Sequence, residues 1–84
     1  MFYTYILRSL ANSSYYIGSC QDVKKRLLQH NNQLVNSTKR YTPWAIVYTE
    51  QFLNLRDARS RELQIKSWKK RDRIEKLMEH FKVI

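Results

Sequence analysis

Two short aromatic segments near the start of the chain restrict its fold more than any other feature. Tyr3-Thr4-Tyr5-Ile6-Leu7 lies in a run over residues 2–8 that is rich in strand-forming residues. A second run over residues 14–19 contains Tyr16-Ile17-Gly18, and the Asn and Ser residues between the runs favour a turn. The pattern therefore predicts an antiparallel hairpin. Gly18, at the end of the second strand, indicates that another group approaches the backbone closely there.

A helix is predicted to follow the hairpin. Asp22 is a candidate N-cap, because its short side chain can accept a hydrogen bond from the first helical turn. Val23, Leu27 and Leu34 then form an apolar stripe that extends the helix to about residue 34. Residues 31–42 are polar and basic and predict a loop. Residues 43–52 predict a third strand, with its proline confined to the start.

The last third of the chain is predicted to be helical. Asn54 is a second N-cap candidate, with Asp57 as a weak capping box, for a helix over residues 55 to about 69. An amphipathic stretch follows, either as a bend of that helix or as a separate one, and its apolar residues are Ile74, Leu77, Met78 and Phe81. The predicted order is β-β-α-β-α-α, an α+β domain in which helices flank a small three-stranded antiparallel sheet.

The length and composition favour one folded domain. We expect it to span residues 1–84, and its two Trp, six Tyr and three Phe argue against disorder. The single cysteine, Cys20, cannot form an internal disulfide and favours a reducing cytoplasm. The start of the chain lacks the pattern of a secretory signal, and no run approaches the ~20 apolar residues of a membrane span. We therefore expect a cytoplasmic protein that is not in the membrane.

The charge predicts an anionic partner. Sixteen Lys and Arg against seven Asp and Glu give a formal net charge of +9, which is typical of proteins that bind nucleic acid. An anionic membrane surface would attract the same charge. The candidate phosphate-binding residues are Lys39, Arg40, Lys66, Lys69, Lys70 and Arg71. For the run at residues 69–73, a solvated helix end is as good an explanation as phosphate contact.

Two tyrosines and a basic pair are candidates for chemistry. Tyr3 and Tyr5 project from one face of their strand, and Tyr16 can meet Tyr5 across the hairpin. Arg26 and His30 are four residues apart and so share a helix face, where a guanidinium and an imidazole can converge on one phosphate. Taken singly, each tyrosine is more often a packing residue, and such a basic pair is more often a solvated face.

Glu62 is the sharpest single signal. It follows Ala58 by four residues and precedes Ile65 by three, which places a carboxylate on the apolar stripe of its helix. A charge in that position is costly without a partner. The partner could be Arg26, a divalent metal ion, or each in turn. A structural Glu–Arg pair explains this residue about as well when it is considered alone.

Taken in order, these residues resemble the GIY-YIG nuclease superfamily over nearly the whole chain. Tyr3-Thr4-Tyr5 stands at the GIY triplet, Tyr16-Ile17-Gly18 matches the YIG triplet, and Arg26, His30 and Glu62 follow at the positions of the family's functional residues. The chain is most similar to the small single-domain members, and to the N-terminal nuclease domain of the excision-repair nuclease C subunit. It departs from the family pattern at three positions, where Gly, Lys and Asn are replaced by Tyr3, Ser19 and Ile74.

The resemblance implies metal-dependent hydrolysis of nucleic-acid phosphodiesters, with DNA favoured over RNA and with low or structure-directed specificity. Glu62 would hold Mg²⁺ or Mn²⁺, and Tyr5 would be the general base, with its phenol pKa lowered by nearby cationic groups. Tyr16 would orient the attacking water or bind the phosphate, Arg26 would stabilise developing charge, and His30 would assist Tyr5 or grip a phosphate. A homodimer would allow a one-site enzyme to cut both strands. DNA repair, mobile-element maintenance and host defence all use this module.

Two other functions compete with cleavage. A non-catalytic nucleic-acid-binding adaptor of the same fold would bind without metal dependence. A partner of a larger nuclease would use Trp68, Leu77 and Phe81 as a docking face, although their helical spacing is more typical of core residues. A zinc site is not expected, because one cysteine and two distant histidines, His30 and His80, do not form one.

Overall fold

A computed structural model describes residues 1–79 of the chain. The elements follow in the order β1 (Phe2–Ser9), β2 (Tyr15–Cys20), α1 (Val23–Asn31), a short 3₁₀ helix (Lys39–Tyr41), β3 (Trp44–Phe52), α2 (Leu55–Ser67) and α3 (Arg71–Met78). The predicted fold class and the order β-β-α-β-α-α are confirmed.

The three strands form one antiparallel sheet with β1 in the centre. The strand order is β2-β1-β3. In the hairpin, Tyr5 lies opposite Gly18 and Leu7 lies opposite Tyr16. Tyr5 and Tyr16 are therefore diagonal neighbours on one face of the sheet, rather than a directly opposed pair.

Each face of the sheet carries its own hydrophobic cluster, because successive side chains of a strand point to opposite sides. On one face, Tyr5, Leu7 and Trp44 pack with residues of α1. On the other face, Ile6 and Ile17 pack with residues of α2 and α3. The molecule thus has three layers: α1, the sheet, and the α2–α3 pair.

The predicted starts of α1 and α2 agree with the structure, whereas the predicted end of α1 does not. The Asp22 side chain accepts a hydrogen bond from the Lys25 amide, and the Asn54 side chain accepts one from the Asp57 amide, so both N-caps are confirmed. The extension of α1 to residue 34 is wrong, since the helix ends at Asn31. Leu34 is 71% exposed and does not continue the apolar stripe.

The C-terminal helical region consists of two helices. The backbone of Lys69 has φ 53°, a left-handed conformation that cannot continue a helix, and α3 begins two residues later. Trp68 and Leu77 pack against the second hydrophobic cluster, which confirms them as packing residues. Phe81 and His80 lie outside the described residues. Within residues 1–79, no helix is long and apolar enough to cross a membrane.

Candidate active site

A cavity of about 350 Å³ opens at the β2 edge of the sheet, where the α1 layer and the α2 layer meet. Its lining residues are Tyr5, Tyr16, Gly18, Ser19, Arg26, Arg59, Glu62 and Leu63. Four of the five predicted catalytic residues are thus brought together, and the fifth, His30, lies behind Tyr5. A larger cavity beside the N-terminus of α1 contains none of the five.

Gly18 makes room for the phenol of Tyr5. A Cβ atom added at Gly18 would lie 2.5 Å from Tyr5 Oη and 2.7 Å from Cζ, which is closer than atoms can pack. The ring of Tyr5 therefore lies across the backbone of the neighbouring strand, and its side chain is only 1% exposed. The predicted close approach at Gly18 is confirmed.

Tyr5, His30 and Thr38 form a buried chain of hydrogen bonds. Tyr5 Oη is 3.0 Å from His30 Nε2, and His30 Nδ1 is 2.7 Å from Thr38 Oγ1. His30 and Thr38 are both fully buried. The ring of Tyr16 flanks the chain, with its centroid 4.8 Å from that of His30 and 6.3 Å from that of Tyr5.

Burial determines the protonation states of Tyr5 and His30. It raises the pKa of Tyr5 well above the ordinary value of a phenol, and the nearby Arg26 guanidinium lowers it by less. The expected lowering of the Tyr5 pKa is therefore wrong for the unliganded protein, because desolvation of the phenolate outweighs the cation. Burial, and then Arg26, lower the pKa of His30 to about 4. Both rings are consequently uncharged at neutral pH.

Arg26 reaches the cavity from α1. Its Nη1 donates to Gln29 Oε1 at 2.9 Å. Its interaction with the Tyr5 phenol is the main cause of a raised Arg26 pKa. The guanidinium thus remains a fixed positive charge on the cavity wall.

Glu62 reaches the same cavity from α2, on the opposite face of the sheet. Its neighbours on the helix stripe, Ala58 and Ile65, are fully buried, while 17% of its own side chain is exposed. Ser19 Oγ donates to Glu62 Oε1 at 2.6 Å, and Lys66 Nζ donates to Oε2. Within the described residues the ion-pair partner of Glu62 is therefore Lys66 and not Arg26, so the structural Glu–Arg pair is not formed.

The cavity offers few protein ligands to a metal ion. Residues 1–79 contain no group of three or more His, Cys, Asp or Glu side chains that could enclose an ion. One carboxylate, Glu62, faces the cavity. Mg²⁺ is commonly held by one or two carboxylates together with substrate phosphates and water, so a divalent ion fits this site.

None of the six predicted phosphate-binding residues lines the cavity. Lys39 and Arg40 lie exposed on the 3₁₀ helix. Lys69 and Lys70 lie exposed in the turn between α2 and α3. Arg71, the first residue of α3, stacks over the ring of Tyr15 at 4.3 Å and lies 3.8 Å from Glu75.

Three site residues are absent from the sequence prediction. Arg59 lies three residues before Glu62, so helical spacing alone would have placed it on the same face. Ser19, noted in the sequence only as a departure from the family, holds the Glu62 carboxylate. Thr38 comes from the loop after α1, where no periodic pattern indicates position. Ile74, another of the departures, is 8% exposed and belongs to the hydrophobic core.

Comparisons with known proteins identify the family of this chain. UPF0213 proteins of Staphylococcus saprophyticus and Bacillus pumilus are 33% and 36% identical to the chain, over 92% and 93% of its length and over 94% and 88% of their own. A UPF0213 protein of Clostridium perfringens is 40% identical, over 79% of this chain and 71% of its own. No solved structure gives a significant match. The model of the GIY-YIG catalytic domain family matches residues 1–77, and the chain therefore belongs to that family of nuclease domains.

Proposed function

We propose that this protein is a metal-dependent endonuclease that hydrolyses phosphodiester bonds in nucleic acid, with DNA as the favoured substrate. One observation supports this above all others. Two phenols, two guanidinium groups and a carboxylate from the three layers of the fold line a single cavity, with an imidazole hydrogen-bonded behind one phenol. An adaptor that only binds has no physical need for a half-buried carboxylate facing an arginine across a cavity.

Each residue has a role that its position supports. Arg26 binds the scissile phosphate and stabilises the charge that develops on it. Tyr5 accepts a proton from the attacking water as general base, and Tyr16 orients that water or binds the phosphate. His30 assists Tyr5. A Mg²⁺ or Mn²⁺ ion held by Glu62 would polarise the phosphate and stabilise the leaving oxygen.

The substrate is held by the basic surface around the cavity, in particular by Lys39, Arg40, Lys66, Lys69, Lys70 and Arg71. Contacts to phosphate give affinity but little sequence information, so specificity is low or directed at nucleic-acid structure. A single domain over residues 1–84 acts in the cytoplasm, where the thiol of Cys20 stays reduced. Homodimerisation would place two cavities on one duplex.

The test is a cleavage assay on labelled duplex, single-stranded, flap and junction DNA and on RNA, with Mg²⁺, Mn²⁺ or EDTA. We expect metal-dependent cutting that Glu62→Gln lowers by at least about 100-fold, because several kcal/mol of charge stabilisation are lost with the metal. Binding, measured by fluorescence anisotropy, should be retained by the variant.

Glu75→Gln is the matched control. Glu75 also belongs to an i,i+4 ion pair, with Arg71, but it lies outside the cavity. Its loss should leave the cleavage rate near that of the wild type. If Glu62→Gln cuts at the wild-type rate, the assignment of Glu62 is wrong. Binding without cutting on any substrate in either metal would instead support the adaptor.

A further inference from the structure

We propose that Thr38 is a positioning residue that fixes the tautomer of His30, so that Nδ1 carries the proton and Nε2 accepts the proton of Tyr5. This inference rests on the proposed function only for its effect on cleavage. The tautomer itself is a property of the free protein and is measured without substrate.

The groups around the Tyr5 hydroxyl determine whether it donates or accepts in its hydrogen bond with His30. The phenol is 1% exposed, and burying its proton without an acceptor is costly. Within residues 1–79, two side chains reach its oxygen, those of Arg26 and His30. A guanidinium has only donors, so His30 Nε2 is the acceptor that remains.

The same reasoning assigns the proton on Nδ1 of the His30 imidazole. If Nε2 of a neutral ring accepts, Nδ1 carries the hydrogen and must donate it. It points to Thr38 Oγ1 at 2.7 Å. The Thr38 hydroxyl in turn lies 3.3 Å from the carbonyl of Val35, to which it donates. Each hydrogen in the chain thus has an acceptor.

Thr38 is itself held in place by the fold. Its carbonyl accepts a hydrogen bond from the indole Nε1 of Trp44 at 2.9 Å, and Trp44 is 4% exposed. The residue precedes the 3₁₀ helix directly. An oxygen acceptor is therefore presented to His30 by rigid surroundings, which is how second partners of catalytic histidines orient the ring.

This arrangement supplies a proton relay for the proposed reaction. As the water oxygen bonds to phosphorus, the P–O bond to the leaving oxygen breaks, and the leaving oxygen takes a proton from solvent. On the attacking side, one water O–H bond breaks and its proton moves to Tyr5 Oη. The phenol proton moves at the same time to His30 Nε2. Tyr5 ends neutral, so no buried phenolate has to form. His30 ends as an imidazolium whose two N–H groups donate to Tyr5 and to Thr38.

Thr38→Val tests the tautomer, because valine keeps the shape of threonine and removes the acceptor. Two-bond ¹H–¹⁵N spectra of the free protein at neutral pH report which ring nitrogen is protonated, and His80→Gln assigns the signals. We expect a protonated Nδ1 in the wild type and in Thr38→Ser. In Thr38→Val a proton on Nδ1 would have no acceptor, so the proton should move to Nε2 and the Tyr5 hydroxyl should turn toward the cavity that it lines. A wild-type protein with protonated Nε2, or an unchanged tautomer in Thr38→Val, would overturn the proposal.

Cleavage rates then test the relay. Thr38→Val should cut about 10- to 100-fold more slowly than the wild type, a loss smaller than the full contribution of a general base. The rate of Thr38→Ser should stay within about threefold of the wild type. Thr42→Val makes the same chemical change nearby in the chain and should cut normally. A Thr38→Val protein that has the altered tautomer and cuts at the wild-type rate would overturn the relay.

Failure of the proposed function gives a different result. A wild-type protein that cuts no substrate would overturn the nuclease assignment and the relay together. A protonated Nδ1 in that same sample, lost in Thr38→Val, would still establish Thr38 as the residue that sets the tautomer.

Discussion

Tyr5 and His30 are two uncharged rings in contact inside a protein whose surface is strongly basic. For His30, burial removes the water that would stabilise an imidazolium, and the nearby Arg26 charge disfavours it further. Both rings are thus neutral in the folded protein at neutral pH. This state has a measurable effect on stability.

We predict that His30 titrates at a pKa of about 4 instead of its ordinary 6.5. Between these values the unfolded chain binds a proton that the folded chain does not, so the free energy of unfolding falls as the pH drops from about 6.5 to about 4. A shift of this size corresponds to about 3 kcal/mol. NMR titration of the imidazole gives the pKa directly.

Urea unfolding across the same pH range measures the effect on stability. In His30→Gln, which does not titrate at this position, the loss of stability between pH 6.5 and pH 4 should be smaller than in the wild type. A His30 signal that titrates near pH 6.5 would contradict the buried, neutral state.

At the scale of elements, α2 supports the candidate site from one side. Arg59 and Glu62 lie one helical turn apart on α2, and both line the cavity. Arg59 is exposed, and within the described residues it has no hydrogen-bond or ion-pair partner. On the proposed function, its guanidinium is available to a phosphate of the substrate.

We predict that Arg59→Gln weakens substrate binding by about 3- to 10-fold, as expected for the loss of one charge-assisted hydrogen bond. Fluorescence anisotropy with catalytically inactive protein measures this effect. Arg56→Gln is the matched control, since Arg56 is an exposed residue of the same helix outside the cavity. Equal effects of the two substitutions would show that only total charge matters.

The elements also show what a sequence can and cannot predict here. Asp22 and Asn54 begin helices as predicted, because an N-cap acts on amides within three residues of itself. The predicted end of α1 was wrong because Leu34, an apolar residue in the following loop, fits the helical period of the α1 stripe by chance. Thr38 was not predicted because its position depends on contacts with β3 that no local pattern encodes. The predicted shift of the Tyr5 pKa had the wrong direction. The sequence shows how many charged residues the chain has, but it does not show how deeply a given side chain is buried.

At the scale of the whole molecule, the charge of +9 dominates long-range behaviour. Lys39 and Arg40 on the 3₁₀ helix, and Lys69 and Lys70 beyond α2, are exposed to solvent. Such a surface attracts any polyanion and releases counterions when it binds one.

We predict a steep dependence of DNA affinity on salt. With about four to six phosphate contacts, the slope of log K against log salt concentration should lie near −4 to −5 for duplex DNA. In the double variant Lys69→Gln, Lys70→Gln the magnitude of the slope should fall by about 2. Filter binding between 50 and 200 mM salt, about the physiological range, measures both. A flat slope would exclude the basic surface as the source of affinity.

The cavity is completed only when the last third of the chain has been made. Tyr5, Tyr16, Arg26 and His30 all precede the third strand, whereas Glu62 comes from α2, which packs on the other face of the sheet. A chain that is clipped before α2 lacks this carboxylate and also lacks Ile65, a fully buried residue of the core on that face. On the proposed chemistry, one segment therefore completes both the core and the metal ligand, so a copy that ends before α2 cannot cut.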